Sequence, residues 1–351
     1  MRAGFIRQLK PFLETVAEHK ELYVPKKTGE HYVYTRYDPS SEVSVELNNI
    51  RPCSTVKEFL FPVCELASIF PEPAEPEEVK PFAVFGLKDC DLRSIEILDR
   101  VFTEEEFRDP LYINRRENMF LISSDCFEPG KSCFCHLCGG QPFSQSGYDL
   151  NVSEINEGFI IEAGSQKGRD FIEKYSENFS EVTDSMLAQR DKNRAETQKK
   201  LEQINAEYRL DMPLKEIVEG GEDSDVFDED APDCVECQGC TRICPTCHCF
   251  YLYDTKQKDY FAKMKMWDGC LRRAYAEVAG GQNPRKMIGD RIKHRLMHKF
   301  VYFLDRYGLT MCIGCGRCIE TCAGGIDMRK ALKKLNEELK GKDRKKAKVS
   351  K

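Results

Sequence analysis

Eight cysteines in the C-terminal half of the chain form two strings with the same spacing, CxxCxxCxxxC. The first string is Cys234, Cys237, Cys240 and Cys244, followed by Pro245, and the second is Cys312, Cys315, Cys318 and Cys322. Three closely spaced thiolates can hold three corners of an iron-sulfur cube, and in two-cluster ferredoxins the fourth cysteine ligates the neighbouring cube. The spacing therefore predicts two [4Fe-4S] clusters with crossed ligands. Cluster 1 is expected at Cys234, Cys237, Cys240 and Cys322, and cluster 2 at Cys312, Cys315, Cys318 and Cys244.

Zinc is the main alternative for cysteines at such short spacing. A zinc site takes four nitrogen or sulfur ligands, usually as two separated pairs, and has no use for a third thiolate at the next CxxC step. Two complete strings in tandem therefore favour iron-sulfur clusters. A zinc-stabilised scaffold or interaction module stays open as the alternative.

A second group of cysteines lies around the glycine-containing loop 125–140. Its members are Cys126, Cys133, Cys135 and Cys138, with Cys90 at the start of the preceding predicted helix. These five thiols could supply the four ligands of a third cluster, and a helix N-terminus would help to keep Cys90 as a thiolate. The alternative is a set of buried or redox-active thiols.

Five further cysteines have no complete ligand pattern. Cys247, Cys249 and Cys270 lack an obvious fourth partner, so they either bind a further cluster with a ligand from elsewhere in the fold or pack against the cluster module. His248, between two of them, is expected to be a hydrogen-bond donor rather than a ligand. We interpret Cys53 and Cys64 as structural.

The composition favours a cytoplasmic electron carrier without a catalytic site of its own. Eighteen cysteines in 351 residues, with no apolar signal stretch at the start, indicate metal ligands in a reducing compartment rather than disulfides. No run approaches the roughly 18 apolar residues of a membrane span, so direct membrane insertion is not expected. The net charge of -6 gives no general attraction to nucleic acid. The chain has no GxGxxG loop and no Ser/His/Asp or paired-carboxylate pattern.

The remaining sequence predicts the elements that must position these cysteines. Residues 1–175 indicate a mixed α/β domain, because buried strands at 81–86 and 118–123 flank a helix over 91–102 capped by Asp91. Two further strands joined by a turn are predicted within 147–163.

Three more regions follow this domain. Residues 176–233 indicate a charged helix and an acidic linker, with an acidic docking patch as the alternative. Residues 234–340 form the two-cluster ferredoxin-like module with a helical insert, and residues 341–351 a basic disordered tail. The predicted fold class is therefore α+β, with a mixed α/β domain followed by a mainly helical cluster module.

The helical insert carries apolar residues at every fourth position from Ile288 to Leu304. Its other face is basic, and consists of Arg291, Lys293, Arg295 and Lys299. We interpret this basic face as solvated. The functional alternative is a positive surface near the clusters that favours their reduced form.

In combination, these motifs resemble the β subunit of cytosolic sulfhydrogenases and the A subunit of anaerobic sulfite reductase. The resemblance is carried by residues 240–250, 267–270, 279–285, 298–300 and 312–318, and by 86–92 with Cys126 and the Cys133–Cys135 pair. It implies an iron-sulfur electron-transfer subunit of a multi-subunit oxidoreductase of anaerobic metabolism. Such a subunit passes single electrons between a flavoprotein that oxidises NAD(P)H and a separate catalytic subunit. A heterodisulfide reductase or flavin-bifurcating complex is a further alternative.

The resemblance also orders the candidates for the third cluster. The family commonly carries a different residue at the position of Cys138, so the resemblance implies Cys90, Cys126, Cys133 and Cys135 as ligands, with Cys138 as the alternative. The family also has proline after the last cysteine of the second string, where this chain has Ala323. That difference affects the loop and not the ligand.

Overall fold

The computed structural model describes residues 3–40, 45, 47, 52–71 and 78–349. The chain divides into two compact units, and each unit is assembled from separate stretches. Unit 1 comprises residues 1–62, 74–131 and 140–203, and unit 2 comprises residues 63–73, 132–139 and 204–351.

Ten strands are present in the described part of the chain. They are β1 (Ala3–Ile6), β2 (Glu21–Thr28), β3 (His31–Arg36), β4 (Cys64–Phe70), β5 (Phe82–Leu87), β6 (Met119–Ser124), β7 (Leu150–Ile155), β8 (Gly158–Ala163), β9 (Phe250–Lys256) and β10 (Phe261–Trp267).

Thirteen α-helical segments are described. They are α1 (Leu9–Ala17), α2 (Lys57–Leu60), α3 (Asp89–Phe102), α4 (Pro110–Asn118), α5 (Gln166–Lys174), α6 (Asp184–Ile204), α7 (Leu214–Gly220), α8 (Val226–Glu229), α9 (Gly239–Arg242), α10 (Ile288–Met297), α11 (Phe303–Tyr307), α12 (Arg317–Glu320) and α13 (Met328–Val349). A π-helical segment, His298–Tyr302, joins α10 to α11. No helix among the described residues is long and apolar enough to cross a membrane.

Unit 1 is built on a seven-stranded mixed sheet with the order β1-β8-β7-β6-β5-β2-β3. The pairs β2–β5, β5–β6 and β6–β7 are parallel, and the outer pairs are antiparallel. Every residue of β5 and β6 is buried, which explains why these strands read as continuous apolar runs in the sequence. Helices α1 and α5 pack on the core through residues such as Leu13, Val16 and Ile172.

The helix predicted over 91–102 begins two residues earlier, at Asp89. Asp91 lies in its first turn, where its carboxylate accepts a hydrogen bond of 3.0 Å from the backbone N–H of Lys88. Asp91 therefore stabilises the start of the helix from inside the first turn, in the manner of a capping box.

Helix α6 belongs to unit 1, although the sequence predicts residues 176–233 to be a solvated helix and linker. Arg194 pairs with Asp125 at 2.7 Å, and Arg190 pairs with Glu162 at 2.6 Å, and all four side chains are largely buried. These arginines anchor the helix to carboxylates of the sheet. The other charged residues of α6 are exposed, so the helix presents a solvated charged surface and is held to unit 1 by these two ion pairs.

Unit 2 contains a three-stranded antiparallel sheet, β4-β10-β9, and a helical core. The core is formed by α7, α8, α10 and α13 together with cysteine-bearing loops, and its central residues include Ile217, Phe300 and Leu335. Val226 and Phe227 of the acidic stretch are buried in this core, so residues 204–233 are part of unit 2 rather than a linker. The α+β class predicted from the sequence is confirmed.

Two stretches of the predicted N-terminal domain also belong to unit 2. Strand β4 pairs with β10, with Ile69 opposite Ala262. The loop 132–139 is joined to the second cysteine string, because the Phe134 N–H donates to the Gly314 carbonyl at 2.8 Å. Such long-range pairing is invisible in a linear reading of the sequence, and it corrects the predicted boundary at residue 175.

The last helix differs from the predicted disordered tail. Helix α13 continues to Val349, while residues 350 and 351 lie outside the described residues. Leu332 and Leu335 bury its first turns in the core. A helix that is already nucleated extends at little cost through lysine, which is a good helix former.

Candidate iron-sulfur centre

A cavity in unit 2 brings cysteines of both strings together. Five cysteines line it: Cys234, Cys237 and Cys240 of the first string, and Cys318 and Cys322 of the second. Glu236 and Gln238, between the first three, have positive φ angles of 52° and 63°. This left-handed backbone is uncommon for residues other than glycine, and it turns the loop tightly around the cavity. The predicted ligand set of cluster 1 thus surrounds one volume.

The thiols of this first set are the more accessible ones. Cys237 is exposed, and Cys234, Cys240 and Cys322 are half-buried. Burial raises the pKa of Cys240, and the neighbouring Cys322 and Cys234 raise it further. The Cys322 sulfur accepts a hydrogen bond of 3.3 Å from the backbone N–H of Ile326.

The thiols of the second set are more deeply placed. Cys244, Cys312 and Cys315 are buried, and Cys318 is half-buried. Burial raises the pKa of Cys318 to about 12, with contributions from Cys315, Cys312 and Cys244. Burial also raises the pKa of Cys315, and Cys244 adds to that shift. The last cysteine of the first string therefore lies in the electrostatic surroundings of the second string.

Three groups lie within hydrogen-bond distance of the Cys244 sulfur: the Cys247 thiol, the Thr246 hydroxyl at 3.2 Å and the Lys299 ammonium. A hydrogen bond with Cys247 and the nearby Lys299 ammonium hold the pKa of Cys244 well below its ordinary value, against the effect of burial. The Lys299 Nζ lies 3.4 Å from the Cys244 Sγ and 3.1 Å from the Thr246 Oγ1. Cys247, which the sequence leaves without a role, is thus a neighbour of a predicted cluster ligand.

The basic face of helix α10 and of the π-helical segment that follows it is largely buried, which corrects its interpretation as solvated. Arg291, Arg295 and Lys299 are 1%, 8% and 2% exposed, and Lys293 is half-buried. Arg295 donates to the Cys240 carbonyl at 3.4 Å, and Arg291 pairs with Glu236 at 3.0 Å. The cations face thiols and loop carbonyls instead of water. Charge periodicity along one helix cannot reveal what packs against it.

Cys138 lies beside the second set. It is buried, and its hydrogen bond with Cys312 lowers the pKa of the Cys312 thiol to about 7, with help from Lys299. Gly314, in the second string, has a φ of 65°, and a side chain there would meet the Phe134 oxygen and the Cys135 Cα at 2.6 Å. Only glycine allows the loop 132–139 to approach this closely. The sequence contains no local signal for this contact.

The four cysteines of the predicted third set are divided between the units. Cys90 and Cys126 belong to unit 1, and Cys133 and Cys135 belong to unit 2. Burial lowers the pKa of Lys88. Cys126 and Cys90 are among the groups that raise it, because both thiols lie near the Lys88 ammonium. The third cluster stays a prediction.

Cys249 and Cys270 form a separate pair with Tyr275. Burial is the main cause that raises the pKa of Cys270 to about 11, and the nearby Cys249 also raises it. Burial also raises the pKa of Tyr275, and a hydrogen bond with Cys249 adds to the shift. His248 donates from Nδ1 to the Thr246 carbonyl at 3.0 Å, in line with its expected role as a donor. Cys53 and Cys64, interpreted as structural, are both exposed.

The arrangement differs from a site for a single metal ion. Within the described ranges, no group of three or more His, Cys, Asp or Glu side chains is placed to hold one ion. In an iron-sulfur cube each thiolate binds a different iron, so the four sulfurs stand apart around a volume. The cysteine-lined cavity, a backbone N–H aimed at a cysteine sulfur and the buried cations all suit such an anionic cluster.

The fold and the site define a class: an iron-sulfur electron-transfer protein with an attached α/β unit. Residues 233–326 match the family model for the 4Fe-4S dicluster domain. The chain is also 32% identical to sulfhydrogenase 2 subunit beta of Pyrococcus furiosus over 331 residues, which are 93% of this chain and 96% of that relative. The chain therefore belongs to the family of this iron-sulfur β subunit, and the resemblance seen in the sequence is confirmed. No solved structure matches the chain significantly.

Proposed function

We propose that this protein passes single electrons through two [4Fe-4S] clusters, as a subunit of a hydrogenase-type oxidoreductase complex. The observation that carries the proposal is the cavity that three cysteines of the first string share with Cys322 of the second, with Cys318 also in its lining. A crossed fourth ligand is the arrangement of two-cluster ferredoxins. When bound, each cluster takes up and releases one electron with little rearrangement.

Each ligand set would hold its cluster in a different way. Cys234, Cys237, Cys240 and Cys322 would hold cluster 1 near the surface, since Cys237 is exposed and the adjacent Val235 is 65% exposed. Cys312, Cys315, Cys318 and Cys244 would hold cluster 2 among buried side chains that exclude water. Cluster 1 is therefore the expected point of exchange with another redox centre.

The partners follow from the family. The relative is named as a subunit of a sulfhydrogenase, which supports a multi-subunit complex for this chain. The partners that we expect for this chain are a flavoprotein that oxidises NAD(P)H and a separate catalytic subunit. The catalytic subunit would be of hydrogenase, sulfite reductase or heterodisulfide reductase type. The chain itself is expected to move electrons without forming or breaking covalent bonds of a substrate. A cytoplasmic location is part of the proposal, because its many free thiols suit a reducing compartment.

A third cluster is an extension of the proposal. Its ligands would be Cys90, Cys126, Cys133 and Cys135, with Cys138 as the alternative. Because Cys138 contacts Cys312 and lies in the core of unit 2, the first four remain the preferred set. Cys247, Cys249 and Cys270 are the remaining candidates for further ligands.

Metal content tests the proposal directly. The full chain, purified and reconstituted without oxygen, is expected to bind about eight irons and eight sulfides for two clusters, or about twelve of each for three. Broad visible absorbance that bleaches on reduction and EPR signals of reduced cubes would accompany the iron. A colourless protein that binds zinc and no iron would contradict the proposal and favour a zinc-stabilised scaffold.

A further inference from the structure

Buried positive charge is distributed unequally around the two cysteine sets of unit 2. Lys299 is 2% exposed and lies within hydrogen-bond distance of Cys244 of the second set. Arg317, 1% exposed, lies within the second string, two residues after Cys315 and directly before Cys318. Two buried cations thus face the second set.

The first set has less uncompensated positive charge. Arg291 is paired with the Glu236 carboxylate at 3.0 Å, so its charge is largely offset. Arg295 donates to the carbonyl of Cys240 of the first set at 3.4 Å, and it lines a cavity that Cys318 of the second set also lines. Because Arg295 serves both sets, it does not distinguish them. Lys299 does distinguish them.

Lys299 is held in place by its surroundings. Its Nζ donates to the Thr246 Oγ1 as well as to Cys244, and its carbonyl accepts from the Met311 N–H at 3.0 Å, next to the second string. The ammonium is therefore a fixed positive charge at the sulfur of a predicted ligand.

Reduction adds one negative charge to a cluster, and a nearby cation in a low-dielectric interior stabilises that charge. Hydrogen bonds to ligand sulfur also tune cluster potentials. We propose that Lys299 acts through Cys244 as a positioning residue that makes cluster 2 easier to reduce than cluster 1. One electron, delivered by a reduced flavin or another low-potential donor, then enters at cluster 1 and rests on cluster 2. This step transfers an electron only, and no covalent bond or proton is exchanged. The inference rests on the proposed two-cluster function.

The test is a redox titration of the reconstituted full chain, followed by EPR. Lys299→Met removes the charge and keeps much of the volume, and Lys299→Arg keeps the charge. Lys293→Met, which removes a half-buried lysine from the preceding helix α10, is the matched control. We expect Lys299→Met to make reduction of cluster 2 at least tenfold less favourable, which is about 59 mV for one electron. Cluster 1 should change much less, Lys299→Arg should recover most of the difference, and Lys293→Met should leave both potentials in place.

Several results would overturn the inference. One is an unchanged cluster 2 potential in Lys299→Met when both clusters are present, and another is an equal shift caused by Lys293→Met. The protein with Lys299 in place gives an independent test in case Lys299→Met does not fold. In that protein the two clusters should be reduced in two steps of the redox titration, and Cys312→Ser should remove the EPR signal with the higher potential. If the higher-potential signal belongs to the Cys234 set, the inference fails, whereas absence of iron would instead reject the proposed function.

Discussion

The two cysteine sets have the same spacing in the sequence but different surroundings in unit 2. The first surrounds a cavity near the surface, where Cys237 is exposed. The second is enclosed by the loop 132–139, by buried cations and by the additional thiols Cys138 and Cys247. We therefore expect the ligand spacing to determine that a cluster can bind, and the surrounding chain to determine how accessible the cluster is and how easily it accepts an electron.

The largest effect is expected when one of the two crossed ligands, Cys244 or Cys322, is replaced. Cys244→Ser should remove cluster 2, because Cys244 completes the set of the second string, and should spare cluster 1. Cys322→Ser should do the reverse. Each variant is expected to lose about four irons, counted by metal analysis, and one of two EPR signals. Cys53→Ser, at an exposed cysteine without ligand spacing, is the control. Loss of cluster 1 in Cys244→Ser would reject the crossed assignment.

The next effect concerns one glycine in each string. Gly314→Ala places a side chain in a left-handed position and against the Cys135 backbone at 2.6 Å, while Gly239→Ala meets nothing closer than 3.5 Å. The left-handed conformation alone costs about 1–2 kcal/mol, and the clash adds to it. We expect Gly314→Ala to lower thermal stability and the occupancy of cluster 2, and Gly239→Ala to be tolerated. Equal stability of the two variants would show that the loop 132–139 does not pack on the second string.

The different exposure of the two cysteine sets should also make their clusters lose iron at different rates. A hydrophilic iron chelator, added during mild oxidation, should remove iron from the exposed first set before the buried second set. We expect a rate difference on the order of tenfold, which corresponds to about 1.4 kcal/mol of additional protection. The decay of the two EPR signals with time measures it. Simultaneous decay would mean that the second set is no better shielded than the first.

The smallest effect is expected at Cys138. Cys138→Ala removes the hydrogen bond to Cys312 and should make cluster 2 modestly harder to reduce, with an unchanged iron content and an unchanged cluster 1. A redox titration and an iron assay measure both quantities. A loss of about four irons would instead make Cys138 a ligand of a third cluster.

The contrast between local and long-range information explains what the sequence could predict. Strands β5 and β6 and the cysteine strings were predictable, since apolar runs and CxxC spacing are local patterns. The surroundings of the strings were not, because they join distant residues such as Phe134 and Gly314, or Lys299 and Cys244. The sequence of α6 and of α10 predicts charged faces exposed to solvent. Arg194 of α6 and Arg295 of α10 are nevertheless largely buried, because the first pairs with Asp125 and the second lies near cysteine thiols, and these groups lie far away in the chain.

Iron-edge anomalous diffraction from anaerobically grown crystals of the reconstituted chain tests the crossed two-cluster assignment most directly. We predict one four-iron site bounded by Cys234, Cys237, Cys240 and Cys322, and a second bounded by Cys312, Cys315, Cys318 and Cys244. Four-iron sites ligated within single strings, or single zinc ions in place of the cubes, would contradict the account.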